Sequence, residues 1–137
     1  MANLQRFLNA QEKDYAVALA EVENGKKRSH WIWYIFPQIK GLGFSATSKY
    51  YSIENTAEAL EFLKHPVLGA RLIDICRELL KIEHNNATRI FGSPDDIKLR
   101  SSMTLFAALP ETDPVFQTVL DKFFNGDKDA RTLQMMN

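Results

Sequence analysis

The chain has 137 residues, 45% of them hydrophobic and 11% aromatic, which excludes a disordered polymer and suffices for one packed core without a metal or disulfide staple. Lysine plus arginine equals aspartate plus glutamate at 17 each, so the balance carries no basic excess of the kind a dedicated nucleic-acid binder shows. One cysteine, Cys76, forbids an internal disulfide, and no run of about 18 apolar residues is present to span a membrane.

Leu4, Phe7 and Leu8 recur at helical spacing and predict a short first helix. Asp14 is placed to cap a second, with Tyr15, Ala18, Leu19 and Val22 as its apolar face and Gly25 as its stop. The basic run Lys26-Lys27-Arg28 follows. Ser29 then precedes the aromatic segment His30-Trp31-Ile32-Trp33-Tyr34-Ile35-Phe36, which Pro37 breaks. Strand propensity is high there, but the run is short and flanked by helices, so helix is the reading, with Ser29 as its cap. Gln38, Gly41 and Gly43 make a loop, and residues 45–53 one or two helical turns.

Asn55 and Glu58 stand three apart, as in a capping box, ahead of a helix with Ala59, Leu60 and Leu63 on its apolar side. His65-Pro66 interrupts it. Leu68, Leu72, Ile75, Leu79 and Ile82 then give the clearest amphipathic pattern in the chain, with Cys76 as a small buried neighbour. Asn86 caps a single turn holding Ile90 and Phe91.

The segment 94–109 reads as the central helix. Ser93 caps it, Pro94 takes the first helical position, Asp95 and Asp96 suit its positive end, and Pro110 stops it. Apolar residues lie all round it, yet Asp96, Arg100 and Thr104 form a polar stripe at intervals of four, beside Lys98, Ser101 and Ser102. Asp96 and Arg100 can pair along the helix. Asp113-Pro114 opens a further helix with Phe116, Val119, Leu120, Phe123 and Phe124 inward, Gly126 closes it, and residues 130–136 supply a last turn or two. The expected fold is all-α: residues 1–137 as a single helical domain of seven or eight helices around a buried central helix.

Three stretches also resemble a known family. They are Lys27-Arg28-Ser29-His30-Trp31 through Phe36-Pro37-Gln38 with Gly41-Leu42-Gly43, then His65-Pro66-Val67-Leu68-Gly69, then Phe91-Gly92-Ser93-Pro94-Asp95-Asp96 through Lys98-Leu99-Arg100-Ser101-Ser102-Met103-Thr104-Leu105-Phe106. Together they closely resemble the bacterial family catalogued as domain of unknown function 1810. The resemblance implies a small helical single-domain protein and brings no established activity. The name calpastatin, often attached to such proteins, belongs to inhibitors that are disordered, whereas this composition predicts a packed core.

The function expected is the binding of a small polar or anionic ligand such as a nucleotide derivative, and a reaction on it if one occurs. The site would lie between the central helix and residues 30–38. His30, with a side-chain pKa of about 6.5 when unperturbed, is the candidate acid or base. Trp33 can stack, Gln38 can read a polar edge, Lys98 and Arg100 can hold an anion, and Thr104 supports them. Ser102 and Lys98 form a weaker candidate nucleophile pair. His30, His65 and His84 fit no metal-ligand spacing, and no phosphate loop or dinucleotide fingerprint is present, so neither metal nor cofactor is expected. Two other readings stand beside this one: a protein-interaction module whose polar network is purely structural, and nucleic-acid binding through residues 26–28. The N-terminus lacks the layout of a secretory leader, so the location expected is cytoplasmic.

Overall fold

The centre of the molecule is a helix whose second half the chain wraps on every side. In the computed structural model, which describes residues 3–136, this helix runs Asp95–Ala107, and each residue from Ser101 to Phe106 is buried. Apolar residues at Leu99, Met103, Leu105 and Phe106 bury it, and the polar Ser101, Ser102 and Thr104 are carried into the core with them. In chain order the helices are α1 (Gln5–Glu23), α2 (Ile32–Ile35), α3 (Ala46–Tyr50), α4 (Thr56–Lys64), α5 (Leu68–Leu80), α6 (Ala87–Phe91), α7 (Asp95–Ala107), α8 (Val115–Phe124) and α9 (Ala130–Met135). Nine helices are thus present among the described residues, and one isolated parallel bridge, Ile39 to Ile53, is the only β pairing there. Helices α2, α4, α6, α8 and α9 all pack on α7, while α5 lies against α1, α4 and α8. Residues 1 and 2, the start of the segment read for a leader, lie outside the described residues.

Most boundaries follow from local chemistry. Asn55 Oδ1 accepts the Glu58 N–H at 2.9 Å, as a capping box requires. The reciprocal bond shifts by one residue, for the Glu58 carboxylate accepts the Glu54 N–H instead. His65 belongs to the break before α5, where its Nδ1 accepts the N–H groups of Val67 and Leu68. Gly69 is needed in the first turn of α5, because a Cβ there would stand 1.9 Å from the Leu63 carbonyl oxygen. Leu68, Leu72, Ile75, Cys76 and Leu79 of α5 and Phe116, Val119, Leu120 and Phe123 of α8 are buried, as their spacing predicts.

Four local expectations need correction. The two N-terminal helices are one, α1, which passes through Asp14 unbroken, and the Asp14 carboxylate accepts the Tyr34 hydroxyl instead of a helix-end N–H. Ser29 does not cap α2, which starts at Ile32, because its hydroxyl donates to Glu21 at 2.6 Å. Nor does Ser93 cap α7: the helix begins at Asp95, after Gly92 in the left-handed region at φ 72°, and the Gly92 carbonyl accepts the Asp96 N–H. The Asp96–Arg100 pair does not form either. Asp96 accepts the Thr88 hydroxyl from α6 and the Ile97 N–H, tertiary and local donors that outcompete a partner one turn along.

Candidate functional site

The site is built on α7 and the aromatic segment, and charged groups join the two. Glu21, near the end of α1, accepts four hydrogen bonds: from the Arg28 and Ser29 N–H groups at 2.7 and 3.0 Å, the Ser29 hydroxyl at 2.6 Å and the Trp31 indole at 2.9 Å. Burial alone would raise its pKa, but these donors favour the carboxylate and bring it down to about 2. Residues 28–31 are thereby fixed. Lys27, only 7% exposed, pairs with Asp95 at the start of α7 at 2.8 Å, and its ammonium also lies 5.0 Å from the Trp31 ring centre. The middle of the basic run is therefore a structural link, with Lys26 and Arg28 left exposed.

Beside this link, Lys98 reaches across from α7. Its ammonium is 3.5 Å from Asp95 and 5.1 Å from the centre of the Trp33 ring. Trp33 and Gln38 form a shared wall between two adjacent hollows. One, of about 320 Å³, lies under α3 and includes Ile39, Gly43, Ser48 and Tyr51. The other, of about 570 Å³, opens toward α7 and α9 and includes Phe44, Ile97, Lys98, Ser101, Asp129 and Arg131. The first needs a glycine at residue 43, where a Cβ would lie 2.4 Å from the Ser48 hydroxyl oxygen.

Three of the six anticipated residues, Trp33, Gln38 and Lys98, thus meet in one cleft. The other three do not join them. His30 is exposed and lines neither hollow. Arg100 faces a separate hollow on the other flank of α7. Thr104 is fully buried, donating to the Arg100 carbonyl at 2.8 Å and accepting the Asp129 N–H at 2.9 Å, so both its functions are internal. Ser102 is likewise sealed in the core, which leaves no Ser102–Lys98 pair at the cleft.

Asp129, Arg131, Phe44 and Ser48 were not singled out from sequence. Asp129 clasps α9 to α7, accepting the Ser101 hydroxyl at 2.9 Å and the Thr132 hydroxyl. Burial pushes its pKa up, but those hydrogen bonds and the charge of Arg100 outweigh this and hold it below the ordinary aspartate value. Phe44 carried a sequence signal that is visible in retrospect, a large apolar residue in a glycine loop; it is 83% exposed on the rim.

Fold and site define a small all-helical domain with a two-part cleft against its central helix. The chain belongs to the family described as Protein of unknown function (DUF1810), whose model matches residues 1–136. It is similar to the conserved hypothetical protein Rv1873 from Mycobacterium tuberculosis, whose crystal structure at 1.38 Å aligns with a TM-score of 0.94 at 39% identity, over 97% of this chain and 95% of that one. No curated protein matches it.

Proposed function

We propose that this protein binds a small anionic molecule carrying a planar ring, a nucleotide derivative, in the cleft between α7 and residues 33–48. The observation that carries this reading is the convergence of Trp33, Gln38 and Lys98 on one concavity. Each has a group free for a ligand. Trp33 is half-buried with its indole N–H donating to no protein acceptor among the described residues, and the Gln38 amide is likewise unpartnered there. Lys98 shares Asp95 with Lys27, so it can turn to a phosphate while Asp95 keeps a counter-ion. Stacking on an indole is worth about 1–3 kcal/mol per base, and every base has a face to offer. Arg131 at the far side of the wider hollow adds a second cation for the phosphate.

The arrangement supports binding in preference to turnover. His30 stands outside the cleft, and the Ser101 hydroxyl is held by Asp129. No helix among the described residues is long and apolar enough to cross a membrane, and the single, buried Cys76 suits a reducing cytoplasm.

A thermal-shift screen with AMP, GMP and their diphosphates tests the reading, because a ligand that binds only the native state stabilises it, by about 2.7 kcal/mol at a hundred times its Kd. At least one nucleotide should raise Tm, and Lys98→Gln should reduce that rise. If none raises it, or if Lys98→Gln responds as the wild type does, the reading fails.

A further inference from the structure

On the opposite flank of α7, we infer a second site, one that takes a compact oxyanion, a carboxylate or phosphate group, at Arg100. The hollow there, of about 500 Å³, lies between the start of α6, α7 and the end of α8. The other half-buried cations among the described residues, including Lys122 in this same hollow, are each matched. Arg6 pairs with Glu58 at 2.9 Å, Lys27 and Lys98 share Asp95, and Arg71 lies over the Tyr15 ring at 5.2 Å. Lys122 donates to the carbonyls of Leu79, Leu80 and Ile82 at the end of α5. Arg100 differs: among the described residues its guanidinium has no hydrogen-bond acceptor, no carboxylate within 4.0 Å and no aromatic face, and its Nε is buried without a partner.

The remaining groups in the hollow say what the missing partner is. Two of its side chains already accept protein donors: Asp96 takes the Thr88 hydroxyl and the Ile97 N–H, and Asn86 Oδ1 takes the Arg89 N–H. The side-chain amides of Asn85 and Asn125 face the same hollow and make no hydrogen bond to protein among the described residues. A guanidinium with free amide N–H groups beside it and no carboxylate within 4.0 Å among the described residues suits an oxyanion, which it can grip through two parallel N–H groups. This site is independent of the Trp33 cleft, and its ligand need not be a nucleotide.

The test follows the arginine side-chain Nε–H signals of the full chain by ¹H–¹⁵N NMR during titration with inorganic phosphate, and separately with succinate, against sodium chloride at equal ionic strength. The Arg100 signal and the Asn85 and Asn125 side-chain amides should move and saturate with at least one of the two anions and not with chloride. Saturation with phosphate alone or with succinate alone identifies which group the site prefers. Arg100→Gln should abolish the response at the two asparagines, and Arg100→Lys, which keeps the charge but loses the fork, should weaken it about tenfold. Arg89→Gln, which removes an exposed charge nearby, should leave it intact. An unsaturable drift matching that in chloride, a saturable response that persists in folded Arg100→Gln, or one as tight in folded Arg100→Lys as in the wild type, overturns the proposal.

Discussion

Glu21 shows how much one side chain can fix. A single carboxylate collects four donors from residues 28–31 and sets the entry into α2, so it positions Trp33 without touching the cleft. Its pKa of about 2, against an ordinary 4.5, means that the folded state prefers the ionised form. The stabilisation from Glu21 is therefore fully present above pH 4.5 and disappears as the pH falls toward 2. Urea midpoints of the wild type and Glu21→Gln should differ clearly at pH 6 and converge as the pH drops through that window; a gap that stays constant to the lowest pH would contradict this role. Phe44 is the opposite kind of residue. At 83% exposure it contributes little to the fold, so Phe44→Ala should shift stability by no more than about 0.5 kcal/mol while weakening nucleotide binding measured by calorimetry.

At the scale of elements, α9 is the least obvious contributor to the site. It carries Arg131 to the cleft and lays Met135 against Gly41, where a Cβ would come within 3.0 Å of the sulfur. Its attachment rests on Asp129. Asp129→Ala would leave the Ser101 and Thr132 hydroxyls without that acceptor and should cost about 2–3 kcal/mol, with faster hydrogen exchange confined to α9. The α4–α5 corner is tested by Gly69→Ala, whose Cβ would clash with the Leu63 carbonyl; a loss of about 3 kcal/mol in chemical denaturation is expected. The helices with simple periodicity, α5 and α8, were legible from spacing alone, and the caps at Asn55 and Asn86 from residue type. Asp14 misleads because a residue that suits a helix start also serves as an acceptor for a distant tyrosine. The stripe on α7 misleads for a related reason: the Thr104 hydroxyl does donate one turn back to Arg100, but the partners Thr88 for Asp96 and the Asp129 N–H for Thr104 lie on α6 and just before α9, where an i to i+4 rule cannot look.

For the whole molecule, burying α7 forces two different environments onto its two flanks. Lys98 faces the aromatic segment, and Arg100, two residues on, faces α6 and α8. The sequence brought both into one candidate site because they sit close along the chain, yet about 200° of helix rotation separates them. Trp33, Gln38 and Lys98 were legible because polar groups in core-like sequence are rare; Arg131 and Phe44 were not, since only tertiary packing brings the tail and the glycine loop to the same rim. The basic run takes its meaning at this scale too. With Lys27 buried against Asp95, Lys27→Ala should destabilise the fold by about 2–3 kcal/mol in a urea melt, an effect that a solvated charge would not produce.

The most direct measurement uses the two tryptophans against each other. Trp31 is 1% exposed and tied to Glu21, while Trp33 is half-buried and lines both hollows. Titration of the full chain with AMP while tryptophan emission is followed should give saturable quenching that vanishes in Trp33→Phe and moves to higher concentration in Lys98→Gln. Emission that does not saturate, or equal quenching in Trp33→Phe, would contradict the assignment of this cleft as the ligand site.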